Sequence, residues 1–142
     1  MTKPDPARDL LQIGEAAERT GLSIRTIRYY EEMRLVTPSG RTPGGFRLYT
    51  DEDIERLLLV KATKALDLSL ETTQRMLRAR DRLASGSATA EQREAHTGTL
   101  AAYLEAADER LKRAESRLEA AREALGRIRR EIRTRARSAS SG

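Results

Sequence analysis

No cysteine and no tryptophan occur among the 142 residues, and there is one histidine and one phenylalanine. Without thiols the chain has no disulfide, no thiolate metal site and no iron–sulfur ligation. His96 by itself makes no metal site, so no metal and no cofactor are expected. Aromatic residues make up only 4% and hydrophobic residues 38%, too little for one large globular core. A small core with a long exposed helix suits those figures better. No apolar run approaches the roughly 18 residues of a membrane span, and the N-terminus has no apolar signal region, so a cytoplasmic protein without membrane contact is expected. An enzyme is not expected either. One His, no acid pair beside a nucleophile and no phosphate-cradling Gly loop leave no catalytic constellation.

Charge is what the chain has in quantity. Charged residues make up 35%, with a net charge of +5 and a pI near 10.0, which favours a polyanionic partner. The cations are not spread evenly. Between Ser23 and Tyr49 there are five arginines (25, 28, 34, 41, 47) against Glu31 and Glu32, a local excess of +3.

That same stretch carries the most informative local pattern. Residues 14–20 read as a helix, Thr20-Gly21-Leu22 as a tight turn, and Ser23 as the N-cap of a second helix running to Met33. On the second helix Ile24 and Ile27 are expected to face a core. Arg25, Arg28, Tyr29 and Glu32 fall at i, i+3, i+4 and i+7 on another face. Pro38, Gly40, Pro43, Gly44 and Gly45 read as the tip of a hairpin, followed by the alternating strand Phe46-Arg47-Leu48-Tyr49. A basic helix followed directly by a basic hairpin, with Arg41 and Arg47 flanking the turn, is the arrangement of a winged helix on duplex DNA.

The run IGEAAERTGLSIRTIRYYEEMRLVTPSGRTPGGFRLYTDEDIERL resembles the MerR family of bacterial transcriptional regulators, through IGE, TGLS, RTIRYYE and GFRLY in that order. The resemblance covers roughly residues 11–83. It implies a winged-helix DNA-binding domain in which Arg25, Thr26, Arg28 and Tyr29 of the second helix, and Arg47 and Tyr49 of the wing, lie at the DNA. With Ser23 capping that helix and Arg41 and Phe46 on the wing, these form the candidate DNA-binding set. Two departures are visible: Met33-Arg34 replaces a more usual Ile-Gly or Leu-Gly, and Asp67 stands where the family often has Gly. The resemblance further implies binding between two promoter elements, distortion of the DNA, and RNA polymerase as a partner.

The remaining elements follow from their patterns. Residues 1–9 read as a flexible lead-in, and Leu10 to Ile13 as a short strand or staple at the start of a DNA-binding domain over 10–84. Thr50 caps a third helix with Ile54, Leu57, Leu58, Ala62 and Ala65 as its core positions. Ser69 caps a fourth, with Leu70, Thr73, Met76 and Leu77 inward and Arg75, Arg78 and Arg82 outward, solvating a surface or meeting DNA flanks. Residues 85–88 read as a linker. Thr89 and Gln92 then form a capping box, and Thr97-Gly98-Thr99 marks a weak point.

Over 89–136 the apolar positions Leu100, Leu104, Ala107, Leu111, Ala114, Leu118, Ala121, Leu125, Ile128 and Ile132 alternate steps of four and three, the seam of a dimeric coiled coil. Residues 127–137 hold six arginines and one acid, and 137–142 read as a disordered tail. The expected fold is thus mostly α: a winged helix-turn-helix domain followed by a long C-terminal helix forming an antiparallel coiled-coil dimer. Whether a small-molecule effector exists is open; Tyr103, His96 and Leu100 are the residues that would line its site. The alternative function is a coiled-coil adaptor whose winged domain binds protein.

Overall fold

The computed structural model describes residues 10–142, so the lead-in expected over 1–9 lies outside the described residues. In chain order the elements are β1 (Leu11–Gln12), α1 (Ile13–Thr20), α2 (Ile24–Glu32), β2 (Gly40–Arg41), β3 (Arg47–Tyr49), α3 (Asp51–Ala65), α4 (Leu70–Ala84) and α5 (Ala90–Ser140). The chain divides into two compact units, one ending at Tyr103 and the other beginning at Leu104.

In the first unit α2, α3 and α4 each start on a side-chain cap that the sequence announces, whereas Gln12 before α1 makes no such bond. Ser23, Thr50 and Ser69 accept from the backbone N–H three residues on, and Thr50 with Asp53 closes a capping box. Thr89 and Gln92 close a second box before α5, at 3.1 and 2.9 Å. The three strands form one antiparallel sheet in the order β1-β3-β2, with Leu11 opposite Tyr49 and Arg41 opposite Arg47. Gly40, expected at the hairpin tip, lies in β2 instead, because pairing with Leu48 extends the ladder past the turn.

The core is Ile27 and Tyr30 of α2, Leu35 and Val36, Tyr49 of β3, Leu57 and Val60 of α3, and Met76 and Leu77 of α4. Leu100 and Tyr103 pack against it, so the first unit takes in about four turns of α5. Ile24, expected inward, is exposed. On α3 the buried positions are Ile54, Leu57, Val60 and Thr63, while Leu58, Ala62 and Ala65 face outward against expectation. Steps of three turn the buried face by about 60° each around the helix. That face begins against β3 and α1 and ends where the Thr63 hydroxyl meets that of Tyr103.

Helices α2 and α3 end in the same way without glycine. Arg34 and Asp67 take φ of +57° and +61°. The Leu35 N–H reaches the Tyr30 carbonyl at 2.9 Å, and the Leu68 N–H reaches that of Thr63 at 3.1 Å. The paired bonds, Arg34 N–H to Glu31 and Asp67 N–H to Lys64, are both 3.0 Å. These are Schellman closures, in which a left-handed residue normally is Gly. The two departures from the family pattern therefore keep the glycine geometry and carry its strain.

Helix α5 is unbroken from Ala90 to Ser140. It runs through Thr97-Gly98-Thr99, where the Thr99 hydroxyl donates to the Ala95 carbonyl at 3.1 Å. It also takes in 137–140, part of the expected disordered tail; Ser138 and Ser140 donate to carbonyls four residues back. In the second unit Leu104, Leu111, Leu118, Leu125, Ile128 and Ile132 are 45–63% exposed, so these large side chains of the seam are uncovered, whereas Ala107 is buried. Arg34→Gly is expected to stabilise the first unit by roughly 0.5–1 kcal/mol, the relieved left-handed strain less the added chain entropy, measured by denaturant unfolding.

Candidate nucleic-acid interface

Helix α2 is held in rotation by what it buries. Ile27 and Tyr30 are enclosed, and Arg25, Arg28, Tyr29 and Glu32 consequently face solvent. The turn before it is tight because Gly21 takes φ +70° and returns its N–H to the Ala17 carbonyl at 2.9 Å. Lys61 donates to the Thr20 carbonyl at 2.7 Å, and a Cβ at Gly21 would lie 2.9 Å from that same ammonium. The left-handed φ is what favours glycine there, and any larger residue would also displace the end of the Lys61 side chain. The Ser23 hydroxyl accepts from the Thr26 N–H at 3.0 Å and shares a hydrogen bond with the Thr26 hydroxyl at 2.8 Å. Both side chains are therefore engaged in starting the helix, and Thr26 is half-buried.

Sequence reasoning missed one cation at this surface. Lys64, from the last turn of α3, places its ammonium 5.9 Å from the centre of the Tyr29 ring, at the outer limit of a cation–π contact. No local period relates positions 29 and 64, so nothing in the sequence signalled the pairing. Tyr29 and Tyr30 stand with ring centres 6.1 Å apart and tilted by 52°; Tyr29 is 42% exposed. Burial, followed by the neighbouring Tyr29, pushes the Tyr30 phenol above its ordinary pKa.

The wing closes on itself at the tip. Thr42 N–H donates to the Phe46 carbonyl at 2.9 Å, Gly45 N–H to the Thr42 carbonyl at 2.8 Å, and Phe46 N–H to the Thr42 hydroxyl at 3.1 Å. Gly45 takes φ +85°. Phe46 is 68% exposed, an apolar ring standing free at the end of a basic hairpin.

The two wing arginines are not free. Arg47 and Arg41, opposite each other on β3 and β2, both reach Glu31 of α2, the second at 3.4 Å. Arg41 also donates to the Gly45 carbonyl at 3.1 Å.

Tyr49, expected at the DNA, is fully buried in the core, and its hydroxyl has no hydrogen-bond partner among the described residues. Arg47 and Tyr49 share one face of β3, the face turned inward, while Phe46 falls on the other. Burial first and then the Glu31 carboxylate push the Tyr49 phenol up, with Arg47 and Arg41 pulling it down. Tyr49 thus belongs to the packing beneath the wing and not to the outward surface.

Two other expectations meet the structure here. Arg75, Arg78 and Arg82 of α4 are exposed, as their spacing required. Tyr103 and Leu100, named as lining an effector site, are occupied in docking α5 on the core, Tyr103 through its bond to Thr63; His96 is half-buried. Among the described residues no group of three or more His, Cys, Asp or Glu is placed to hold a metal. None of the described helices is long and apolar enough to cross a membrane.

Capped second helix, glycine turn and arginine-bearing wing define a winged helix-turn-helix protein. Residues 11–80 match the family described as MerR HTH family regulatory protein, and the chain belongs to the MerR family. It is 40% identical over 83 residues to nodulation protein NolA of Bradyrhizobium sp. (strain NC92), covering 58% of this chain and 35% of that protein. Among solved structures, a protein of Listeria monocytogenes assigned to the MerR family is 29% identical with a TM-score of 0.56, covering 86% of this chain and 83% of that one. HiNmlR, a MerR family regulator lacking the sensor domain and bound to promoter DNA, is 27% identical with a TM-score of 0.53, covering 75% and 79%. The chain spans about a third to a half of the length of the curated relatives it matches.

Tyr49→Phe removes a buried hydroxyl that satisfies no bond, so it is expected to be neutral or to stabilise by up to about 1 kcal/mol in thermal unfolding. A loss of more than that on unfolding would show that the hydroxyl has a partner.

Proposed function

We propose that this chain is a sequence-specific transcriptional regulator that binds an inverted-repeat promoter operator as a homodimer and distorts the DNA. The observation that carries the reading is the solvent-facing set Arg25, Arg28 and Tyr29 on a capped helix beside a basic wing. The capture of HiNmlR on promoter DNA supports it. Arginine attraction to phosphate supplies affinity that falls steeply with salt, and the reading helix supplies sequence choice. Bending the duplex adds readout at bases the protein does not touch, and realigned promoter elements would then be offered to RNA polymerase. A protein that acts on the chromosome in this way works in the cytoplasm. The family is one of regulators and not of enzymes.

The uncovered seam of the second unit supports self-association. Six large apolar side chains in heptad register on an exposed helix are what a second copy would bury. Charge then selects the direction. Asp108, Glu115, Arg122 and Arg129 flank the Ala column, acidic early and basic late. With a two-fold axis near residues 119–120, Asp108 meets Arg129 and Glu115 meets Arg122 of an antiparallel copy, and Arg110 meets Glu131. In a parallel pair Arg117 would instead face Arg122. Each exposed pair contributes only about 0.3–0.5 kcal/mol, so charge chooses the register and the apolar seam supplies the stability. The coil-with-adaptor alternative shares this seam but gives no reason for Arg25 and Arg28 to share one exposed face.

Gel shifts of the chain's own upstream promoter against a random duplex, across a salt series, separate the two readings: a regulator prefers the promoter and an adaptor does not. Arg28→Ala is expected to remove the specific complex, a loss of about 1–3 kcal/mol, with the dimer intact by light scattering. Because the chain has no cysteine, direction can be read by oxidation. Glu115→Cys with Arg122→Cys should cross-link two copies while Leu104→Cys stays unlinked, and a bridged Leu104→Cys dimer would refute the antiparallel pair.

A further inference from the structure

Glu31 stands in the middle of the reading surface without belonging to it. Its side chain is only 18% exposed and receives two guanidinium groups from the hairpin, ten and sixteen residues further along the chain. The two interactions differ in kind. Arg47 is 29% exposed, lies on the inward face of β3 beside buried Tyr49, and donates through Nε to Glu31 Oε2. Arg41 is 52% exposed and reaches Oε1 at 3.4 Å, longer than an ordinary charged hydrogen bond. An exposed ion pair at that length holds weakly, whereas a half-buried one leaves a stranded carboxylate when it is broken.

We infer that Glu31 is the wing's positioning residue: it holds Arg47 as an internal strut between α2 and β3 and leaves Arg41 as the cation able to exchange onto a phosphate. The inference rests on the DNA-binding reading and divides roles within it. One carboxylate against two guanidinium groups leaves the wing with a single net positive charge in the free protein. Phosphate competes with Glu31 for the looser partner, Arg41. The Gly45 carbonyl, which Arg41 holds at 3.1 Å, keeps that side chain lying along the hairpin tip, near the exposed Phe46. Arg47 keeps the hairpin at a set distance from the reading helix. Specific binding, which needs both elements in register on the duplex, then depends on a residue that need not touch it.

The test uses the full chain as Arg41→Ala, Arg47→Ala and Glu31→Gln, with promoter and random duplexes titrated across a salt series and a thermal melt of each protein. Arg41→Ala should lower the salt slope of binding by about one phosphate contact and leave the melting temperature unchanged. Arg47→Ala should lower the melting temperature and weaken binding to both duplexes. Glu31→Gln, close to isosteric, should tighten random-duplex binding, steepen its salt slope by about one contact, and cut the promoter preference several-fold. An Arg47→Ala protein with an unchanged melt and a shallower slope would make Arg47 a phosphate ligand and overturn the assignment. So would a Glu31→Gln protein with unchanged slope and preference. A readout without DNA keeps the inference separate from the regulator reading: solvent exchange of the Arg47 Nε–H by NMR should be slow in the wild type and faster in Glu31→Gln. If the wild type shows no promoter preference, the regulator reading fails, and the exchange rate still decides whether Glu31 holds Arg47; equal rates would overturn the strut.

Discussion

Burial of Ile27 and Tyr30 sets the rotation of α2, and the candidate interface depends on that rotation. A helix of nine residues has little stability of its own, so its stance is decided by the core it packs on. Once those two side chains are enclosed, Arg25, Arg28 and Tyr29 have no direction left but outward. The Gly21 turn and the Ser23 cap fix where the helix begins, and the Schellman closure at Arg34 fixes where it stops. The same core is completed from the far side by α5, whose Tyr103 meets Thr63 on α3. Next to Thr63, Lys64 stands by the Tyr29 ring. The helix that leads into the seam and the helix that carries the arginines thus lean on neighbouring residues of α3.

Charge in this molecule is less available than its composition suggests. Of the five arginines between Ser23 and Tyr49, the two on the wing converge on one acid, and Arg25 and Arg28 stand exposed on α2. A net charge read from the sequence counts every cation equally, whereas the fold divides them into struts and surface groups. Arg56 gives a second instance: it holds Asp81 of α4 and the Leu35 carbonyl, both at 2.6 Å, and so ties α3 to its neighbours. In the second unit Glu109 pairs with Arg113 and Glu119 with Arg122, both within one turn of the helix, at 3.6 and 4.0 Å. Such exposed pairs within one helix contribute little to its stability.

What the sequence determined by itself is whatever is written within a few positions along the chain. The Gly21 turn, the caps at Ser23, Thr50, Ser69 and Thr89, the outward set on α2, and the heptads from Leu100 to Ile132 were all legible, because each is a repeat or a hydrogen bond spanning seven residues or fewer. The dense motifs shared with MerR regulators added the order of the elements. What only the tertiary structure decided are the pairings with no local period: Glu31 with Arg47, Lys64 with Tyr29, Thr63 with Tyr103, and Tyr49 turned into the core. The outward turn of Leu58 and the inward turn of Val60 have the same origin, since the buried face of α3 follows successive neighbours and not one stripe. Helical period says which residues share a face; which face meets a partner is settled when the chain closes on itself.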